Sequence, residues 1–394
     1  MKAVTWQGTR SVGVTDVPDP EIREPGDAIV RVSSTAICGS DLHLYELLGP
    51  FLDRGDILGH EAMGTVVEVG RGVERLHPGD RVVIPFTISC GTCFMCRRGL
   101  MSQCETTQVR EHGSGAALFG YTKLYGQIPG CQAEYVRVPL ADHTSIPVEN
   151  DLPDERYLFL SDVLPTAWQA VEYGIAPGTE TMVVLGLGPV GQMASRIALH
   201  RGLRVIAVDP VPERRAMAER HGVAALDADE ATAQALRDWS DGRGADAVVD
   251  AVGMEAHGSP GAALAQKAVG VLPDPLAAGI MERAGVDRLA ALRAGIAAVR
   301  RGGVLSIAGV YAGQADPLPM LTLFDKQITL RMGQCNVLRW TDDIIGLVRD
   351  PRDPLGVTDL ATHRVGLSEA ARMYDLFQQK QDGCVKVVMR PEVG

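Results

Sequence analysis

The segment TMVVLGLGPVGQMASRIALHRGLRVIAVD, residues 181–209, limits the possible folds of this 394-residue chain more than any other segment. A buried-strand pattern covers Thr181–Leu185, a helical pattern covers Pro189–His200, and a second strand pattern covers Arg204–Val208. Three glycines with the spacing G-x-G-x-x-G stand between the first strand and the helix: Gly186, Gly188 and Gly191. Strand, glycine turn, helix and strand in this order predict a βαβ unit of an open parallel sheet.

The same segment predicts a binding site for a dinucleotide. Glycines at these positions let the backbone approach a pyrophosphate, and the N-terminus of the helix offers unpaired N–H groups and a favourable dipole. Asp209 follows the second strand and is placed to accept hydrogen bonds from the hydroxyls of a ribose. Its charge disfavours a 2′-phosphate, which predicts NAD rather than NADP. Arg214 and Arg215 follow, and an arginine can also bind a 2′-phosphate. The favoured interpretation is that these residues begin the next helix, with Arg214 beside the adenosine.

The length of the chain favours two domains. Strand patterns in ADAVVDAVG, GGVLSIAGV and QITLRM extend the parallel sheet, so we expect a doubly wound α/β cofactor domain over residues 166–332. An Ala-, Gly- and Pro-rich stretch near residues 255–290 is longer than a usual connection and predicts a surface insertion. Residues 1–165 contain short strands and Gly-Asp turns, and with residues 333–394 they predict a discontinuous β-rich catalytic domain.

Composition and charge exclude several classes of partner. The net charge of -11 disfavours nucleic acid, whose recognition requires clustered lysine and arginine. No run of eighteen apolar residues occurs and the first residues do not form a secretory signal, so we expect no membrane insertion and a cytoplasmic protein.

Four of the eight cysteines lie within fifteen residues, in CGTCFMCRRGLMSQC. Their order is Cys90-x2-Cys93-x2-Cys96-x7-Cys104, and a reducing compartment disfavours disulfides between them. The last gap is too long for the bacterial ferredoxin spacing, whereas four thiolates around a loop suit a closed, structural zinc site. Redox-active thiols are the alternative interpretation.

A second group of metal-binding residue types lies earlier in the chain. Cys38 ends the strand pattern AIVRVSSTAIC, and His60 and Glu61 stand twenty-two residues later between glycines, before a strand pattern over Gly64–Val69. One cysteine and one histidine are half of a metal site.

This part of the chain resembles the zinc-dependent medium-chain alcohol dehydrogenases. Their signature G-H-E-x2-G-x5-G-x2-V is matched by Gly59, His60, Glu61, Gly64, Gly70 and Val73. The resemblance implies a GroES-like catalytic domain beside a Rossmann domain, two zinc ions per chain, and an active site between the domains. It also implies a third zinc ligand in FLSDVLPTAWQAV, where common members have a cysteine and this chain has Asp162.

The aspartate, with CGSDLH and SDVLPT, resembles the branch of glutathione-independent formaldehyde dehydrogenases. The resemblance therefore implies a catalytic zinc held by Cys38, His60 and Asp162, with Glu61 next to the ligands or exchanging with one of them. It implies that Ser40 takes the substrate proton and passes it through the cofactor ribose to His43; the alternative is that His43 is an ordinary surface histidine.

The resemblance also implies further contacts to the cofactor. Thr166 and Val190 are expected near the nicotinamide, Val252 and Val310 along its pocket, and Gly39 beside the cofactor. In the formaldehyde dehydrogenase branch the insertion covers the cofactor, and His257 would then contact the adenine half.

These features predict an NAD-dependent zinc enzyme that removes a hydride from a small primary alcohol or from the hydrate of an aldehyde. A polyol or amino-alcohol dehydrogenase of the same superfamily is the alternative enzyme, and a non-catalytic NAD- and zinc-binding sensor is the alternative of another class. A dimer or tetramer of identical chains is expected from the resemblance alone. The pocket is expected to be lined by Tyr45, Phe51 and Phe86.

Overall fold

The computed structural model describes residues 1–253, 289–311 and 318–391. The chain forms two units, Met1–Pro165 with Cys335–Gly394, and Thr166–Gln334. His257 and most of the expected insertion near residues 255–290 lie outside the described residues.

The strands are numbered in chain order. They are β1 Lys2–Gly8, β2 Ser11–Asp16, β3 Ala28–Ile37, β4 Glu61–Val69, β5 Arg81–Ile84, β6 Tyr135–Val138, β7 Ile146–Pro147, β8 Thr181–Leu185, β9 Arg204–Val208, β10 Ala224–Leu226, β11 Ala245–Asp250, β12 Val299–Ile307, β13 Thr329–Met332, β14 His363–Gly366 and β15 Val387–Arg390. The α-helices are α1 Gly39–Glu46, α2 Asp154–Tyr157, α3 Val163–Gly174, α4 Pro189–His200, α5 Pro212–Arg220, α6 Thr232–Trp239, α7 Ala290–Ala298, α8 Met320–Lys326, α9 Val337–Arg349 and α10 Ala370–Gln378. Short 3-10 turns connect several of them.

The first unit is built on a seven-stranded sheet in the order β14-β15-β3-β4-β5-β7, with β6 also paired to β3. The long strand β3 is buried over most of its length, and its apolar residues contribute to one core together with those of β4 and β5. Strands β3 and β4 are antiparallel, and Ala36 near the end of β3 pairs with Glu61 at the start of β4. This register places the segment after β3 beside the segment before β4.

The second unit is built on a six-stranded sheet in the order β10-β9-β8-β11-β12-β13, in which every pairing is parallel. This is the strand order of the doubly wound dinucleotide-binding fold. Strand β8 is central, and its buried valine and leucine residues pack in a core with those of β9, β11 and β12. The predicted α/β fold class is therefore confirmed, and β8, α4 and β9 have the bounds that the sequence predicts.

One detail of the sequence interpretation was wrong. Glu61 was expected in the loop before a strand, whereas it is the first residue of β4 and is fully buried. Backbone pairing with β3 extends the strand to this residue. Among the residues that the structure describes, no helix is both long and apolar enough to cross a membrane.

Candidate metal centres and dinucleotide site

Four predicted residues converge at one end of the β3–β4 pair. One ligand atom from each of Cys38, His60, Glu61 and Asp162 lies within 4.8 Å of the others. Cys38 lies between β3 and α1, and Asp162 precedes α3. His60 immediately precedes β4, whose first residue is Glu61. All four belong to the first unit.

The distances within this group, here called the mixed cluster, are short. The Oδ2 atom of Asp162 lies 3.4 Å from the Sγ atom of Cys38 and 3.4 Å from the Nε2 atom of His60. The Oγ atom of Ser40 lies 3.2 Å from the same Nε2 atom, so the predicted hydroxyl is adjacent to the cluster. His43 lies in α1 and is buried, which does not suit an ordinary surface histidine.

A buried ion pair lies against the mixed cluster. The Nζ atom of Lys386 contacts the Oε1 atom of Glu61, and neither side chain has any exposure to solvent. Burial raises the pKa of Glu61, while the charge of Lys386 opposes that rise. The second carboxylate oxygen of Glu61, Oε2, is buried without a hydrogen-bond partner. An unpartnered buried carboxylate oxygen beside thiol, imidazole and carboxylate groups fits a bound cation.

Asp41 contacts two residues of the mixed cluster on the side away from the ligand atoms. Its Oδ2 atom accepts a hydrogen bond of 2.9 Å from the backbone N–H of Cys38, and its Oδ1 atom lies 3.2 Å from the Nδ1 atom of His60. Burial alone would lower the pKa of His60. The negative charge of Asp41 has a larger, opposite effect together with the hydrogen bonds of the cluster, so the pKa of His60 is raised. A carboxylate on Nδ1 leaves Nε2 to face the cluster, which is the usual arrangement of a metal-binding histidine.

The donor set of the mixed cluster suits zinc. Burial raises the pKa of the Cys38 thiol to about 11, and a bound divalent cation would reverse this shift because it favours the thiolate. Sulfur, nitrogen and oxygen donors in a group of three protein ligands are typical of catalytic zinc sites, which keep one position for substrate.

The four clustered cysteines of the sequence also converge. The sulfur atoms of Cys90, Cys93, Cys96 and Cys104 lie within 4.8 Å of one another, and none forms a disulfide. The backbone N–H groups of Cys93 and Cys96 point to sulfur at 3.3 and 3.5 Å. Burial raises the pKa of Cys90, but hydrogen bonds from Thr106 and Thr92 outweigh it and lower the value to about 5. Four converging sulfurs without a disulfide suit a closed, structural zinc site.

The dinucleotide segment has the geometry that its glycines predict. Gly186 has a φ of +86°, and a Cβ atom on Gly191 would lie 1.8 Å from the carbonyl oxygen of Gly186. The Oδ2 atom of Asp209 accepts a hydrogen bond of 2.6 Å from the N–H of Leu187. Its Oδ1 atom accepts one of 2.8 Å from Val211. These bonds fix the carboxylate beside the glycine turn.

Arg214 lies close to the same turn. Its Nη1 atom would lie 3.9 Å from a Cβ atom on Gly188, and its buried Nε atom has no hydrogen-bond partner. A buried cation near the N-terminus of α4 is a favourable neighbour for a phosphate.

The remaining predicted cofactor residues occupy different surroundings. Thr166, Val190 and Val252 are half-buried in the second unit, and Val310 is exposed. Gly39 is the first residue of α1 in the first unit. The structure therefore brings together the mixed-cluster residues with Ser40, and separately the glycine turn with the aspartate and arginine that follow it.

Sequence reasoning missed four residues around the mixed cluster: Asp41, Lys386, Gln132 and Tyr121. The carboxylate three residues after Cys38 matches a helix-capping pattern, and a lone lysine in the apolar run CVKVVM indicates a buried charge. The ring of Tyr121 lies edge-on to His60 at 6.3 Å, and that of the expected pocket residue Phe86 lies at 6.2 Å. The tyrosine and the glutamine have no local signal.

Comparison with known proteins gives the same assignment for both units. Residues 24–148 match the alcohol dehydrogenase GroES-like domain, and residues 189–270 match the zinc-binding dehydrogenase family. An uncharacterized zinc-type alcohol dehydrogenase-like protein of Bacillus subtilis, AdhB, is 40% identical over 99% of this chain and all of its own length. The glutathione-independent formaldehyde dehydrogenase of Pseudomonas aeruginosa is 37% identical over 65% of this chain and 66% of its own.

A solved structure agrees in fold. The alcohol dehydrogenase TADH from Thermus sp. ATN1 covers 99% of each chain with a TM-score of 0.79 and 33% identity. These features define a class of protein: an oxidoreductase of two units, with a four-cysteine metal site and a second metal site of mixed donors. The chain belongs to the zinc-type alcohol dehydrogenase family.

Proposed function

We propose that this chain is an NAD-linked zinc dehydrogenase that oxidises a small primary alcohol or the hydrate of an aldehyde, with formaldehyde as the leading substrate. The observation that carries the proposal is the mixed cluster of Cys38, His60, Glu61 and Asp162, with the unpartnered oxygen of Glu61 inside it and the hydroxyl of Ser40 beside it. Asp162 is proposed as the third ligand and Glu61 as its neighbour or exchange partner.

Zinc bound there supplies a Lewis acid that lowers the pKa of a substrate hydroxyl. The protein must then remove that proton and exclude bulk water. Ser40 is placed to accept the proton because its Oγ atom lies 3.2 Å from the Nε2 atom of His60, inside the cluster. We propose His43, three residues further along α1, as the next group in the relay.

The hydride acceptor proposed is NAD. The carboxylate of Asp209 is held rigid by two backbone N–H groups beside the glycine turn, and a fixed negative charge there disfavours a 2′-phosphate. The Arg214 guanidinium is proposed to stabilise the pyrophosphate or the adenosine.

Two aromatic rings support a small substrate. Phe86 and Tyr121 both lie edge-on to His60, at centroid distances of 6.2 and 6.3 Å, and so occupy space beside the proposed zinc. A relative whose name states formaldehyde oxidation supports the same class, although it matches only part of the chain.

We also propose that the protein assembles from identical chains through the second unit. Strand β13 is the edge of its sheet, and large apolar side chains near it are exposed: Met320, Leu321, Phe324 and Met332. An exposed apolar edge favours pairing with a second copy. A Phe324→Glu variant should shift sedimentation toward smaller species; an unchanged oligomer would place the interface elsewhere.

The eight free cysteines support a reducing compartment such as the cytoplasm.

The proposed activity is tested by following the absorbance of reduced nicotinamide without glutathione. Zinc-replete protein would be mixed with NAD or NADP and with formaldehyde, short alcohols or polyols. Turnover of formaldehyde with NAD is expected. Faster turnover of polyols or longer alcohols would reject the proposed substrate while retaining the zinc mechanism, and a preference for NADP would reject the role of Asp209.

A further inference from the structure

A buried glutamine connects the C-terminal part of the first unit to the mixed cluster. We infer that Gln132 is a positioning residue: Tyr374 anchors its amide, the amide holds Asp41, and Asp41 thereby orients the ring of His60. The inference rests on the proposed role of the mixed cluster as a metal site.

The backbone of Gln132 is fixed on both sides. Its N–H donates a hydrogen bond of 2.9 Å to the carbonyl of Leu58, and its carbonyl accepts one of 2.8 Å from Val4. The residue has no exposure to solvent. The side chain of Gln132 therefore starts from a fixed backbone position. That position is bonded to Leu58, which lies two residues before His60.

The hydrogen bonds of the side chain determine which way the amide points. The Nε2 atom donates to the carbonyl oxygen of Ala36 at 3.1 Å and to the Oδ2 atom of Asp41 at 3.3 Å. Both partners are acceptors only, so this side must be the NH2 group. The Oε1 atom is then free to accept, and it receives the hydroxyl of Tyr374 at 2.9 Å. Tyr374 lies in α10 and is fully buried.

These contacts fix the carboxylate of Asp41. Its Oδ2 atom receives one N–H from Gln132 and another from the backbone of Cys38, at 2.9 Å. The remaining oxygen, Oδ1, forms an ion-pair contact of 3.2 Å with the Nδ1 atom of His60, and both of these buried atoms are otherwise without a polar partner. The amide of Gln132 thus fixes the position of the Asp41 carboxylate. That carboxylate contacts Nδ1 of His60, so that Nε2 faces the cluster.

The glycine before His60 gives independent support. Gly59 has a φ of +90°, and a Cβ atom there would lie 2.2 Å from the Cγ atom of Gln132. The backbone that leads into the metal-binding histidine is therefore in direct contact with the glutamine side chain. Any larger residue at position 59 would displace the glutamine or the histidine.

The test uses metal release from the full-length protein. Gln132→Met keeps the volume and removes the amide, and Tyr374→Phe removes only the hydroxyl. Tyr157→Phe is the matched control, because this buried tyrosine of the same unit donates its hydroxyl to Asp151 at 2.7 Å, outside the network. Metal content, the rate of zinc loss to a chelator, and the absorption spectrum after cobalt replacement would be measured for each variant.

Loss of an outer partner of a metal ligand weakens binding by about 10- to 100-fold, so Gln132→Met should release the metal of the mixed cluster about tenfold faster, with an altered cobalt spectrum. Tyr374→Phe should accelerate release about threefold, the scale of one buried hydrogen bond. Because the hydroxyl acts through the amide, Tyr374→Phe should have no further effect in the Gln132→Met background. The control should release metal at the wild-type rate.

The outcomes separate this inference from the proposed function. If the wild-type protein binds only the metal of the four cysteines, the proposed function fails and the inference fails with it. If the wild type binds two zinc ions and Gln132→Met releases them at the wild-type rate, only the positioning role is rejected. Additive effects in the double variant would also reject it. If Gln132→Met does not fold, a wild-type release rate in Tyr374→Phe rejects the inference by itself.

Discussion

The two metal-binding groups of the first unit differ in what surrounds them. Both place four ligand atoms within 4.8 Å. The four-cysteine group has one kind of donor, from residues 90–104, and its sulfurs receive N–H groups from its own loop. The mixed cluster draws its donors from three distant segments and is backed by buried charges, Asp41 and Lys386. A local motif is sufficient to hold a loop, whereas the proton transfer proposed for the mixed cluster needs partners from elsewhere in the fold.

The largest effect should come from Cys38→Ser. We expect turnover to fall by at least about a thousandfold, since several kcal/mol of stabilisation of developing charge are lost. Zinc content should fall from two ions per chain to one, while thermal unfolding changes little. Metal analysis and turnover numbers check this, with Cys384→Ala as the control at a buried cysteine that belongs to neither group. Retained activity would show that the mixed cluster is not the catalytic site.

Breaking the buried ion pair should be the next largest effect. Lys386→Met removes the cation that pairs with the buried Oε1 atom of Glu61, which should destabilise the protein by about 3–5 kcal/mol. Denaturant unfolding of zinc-replete protein checks this. The matched control is Lys123→Met, whose partner Asp53 is exposed, so that its loss should change the stability little. A Lys386→Met, Glu61→Gln double variant should recover part of the stability; no recovery would mean that packing, not charge, causes the loss.

The four-cysteine group should respond in the opposite way to the mixed cluster. Cys104→Ser should remove one zinc ion and lower stability by more than about 3 kcal/mol, because a lost metal site exposes the loop that it ordered. Turnover per folded chain should change by less than about tenfold, or about 1.4 kcal/mol in the barrier. Calorimetry and turnover on the same sample check both parts. A stable but inactive variant would assign these thiols to the chemistry.

The smallest effect concerns the second unit, where an ion pair stabilises the sheet without metal. Asp246 contacts Arg300 at 2.6 Å and receives both N–H and hydroxyl of Thr181. Burial alone would raise the pKa of Asp246, but these hydrogen bonds outweigh burial and lower the pKa to about 2. The folded state thus prefers the carboxylate, so this stabilisation is complete above the unfolded pKa of about 4 and is lost as the pH falls toward 2.

We expect Asp246→Asn to remove about 1 kcal/mol of stability at neutral pH, after screening by solvent, and to have almost no effect near pH 2. Unfolding measured from pH 7 to pH 2.5 checks this. Asp241→Asn, at an exposed pair with Arg243, is the matched control and should change little at any pH. A constant difference between Asp246→Asn and wild type across this range would contradict the assigned pKa shift.

The sequence predicted the individual strands, helices and motifs better than the residues that pack around them. Strand β8, helix α4 and strand β9 have the predicted bounds because glycine spacing and apolar periodicity are local properties. The close approach of Gly191 to Gly186 follows from the same motif. The four cysteines converge as expected, since short spacing leaves their loop few alternatives.

The surroundings of the mixed cluster could not be predicted in this way. Gln132 and Tyr374 lie in different segments, 242 residues apart, and are joined by one hydrogen bond in the interior. Neither residue belongs to a motif, and a glutamine among apolar neighbours has no periodic signal. Only the pairing of β15 with β3 brings Lys386 near Glu61, because position in a sheet is a long-range property.

The sequence by itself therefore determined the two fold types, the donor residues of both metal groups and the acidic residue of the dinucleotide turn. These depend on residue type and on spacing over a few tens of residues. The tertiary structure decided which charges face those donors: Asp41 behind His60, and Lys386 against Glu61. The physical reason is that burial makes electrostatic partners essential, and such partners are supplied by whichever segments the packing of the core brings together.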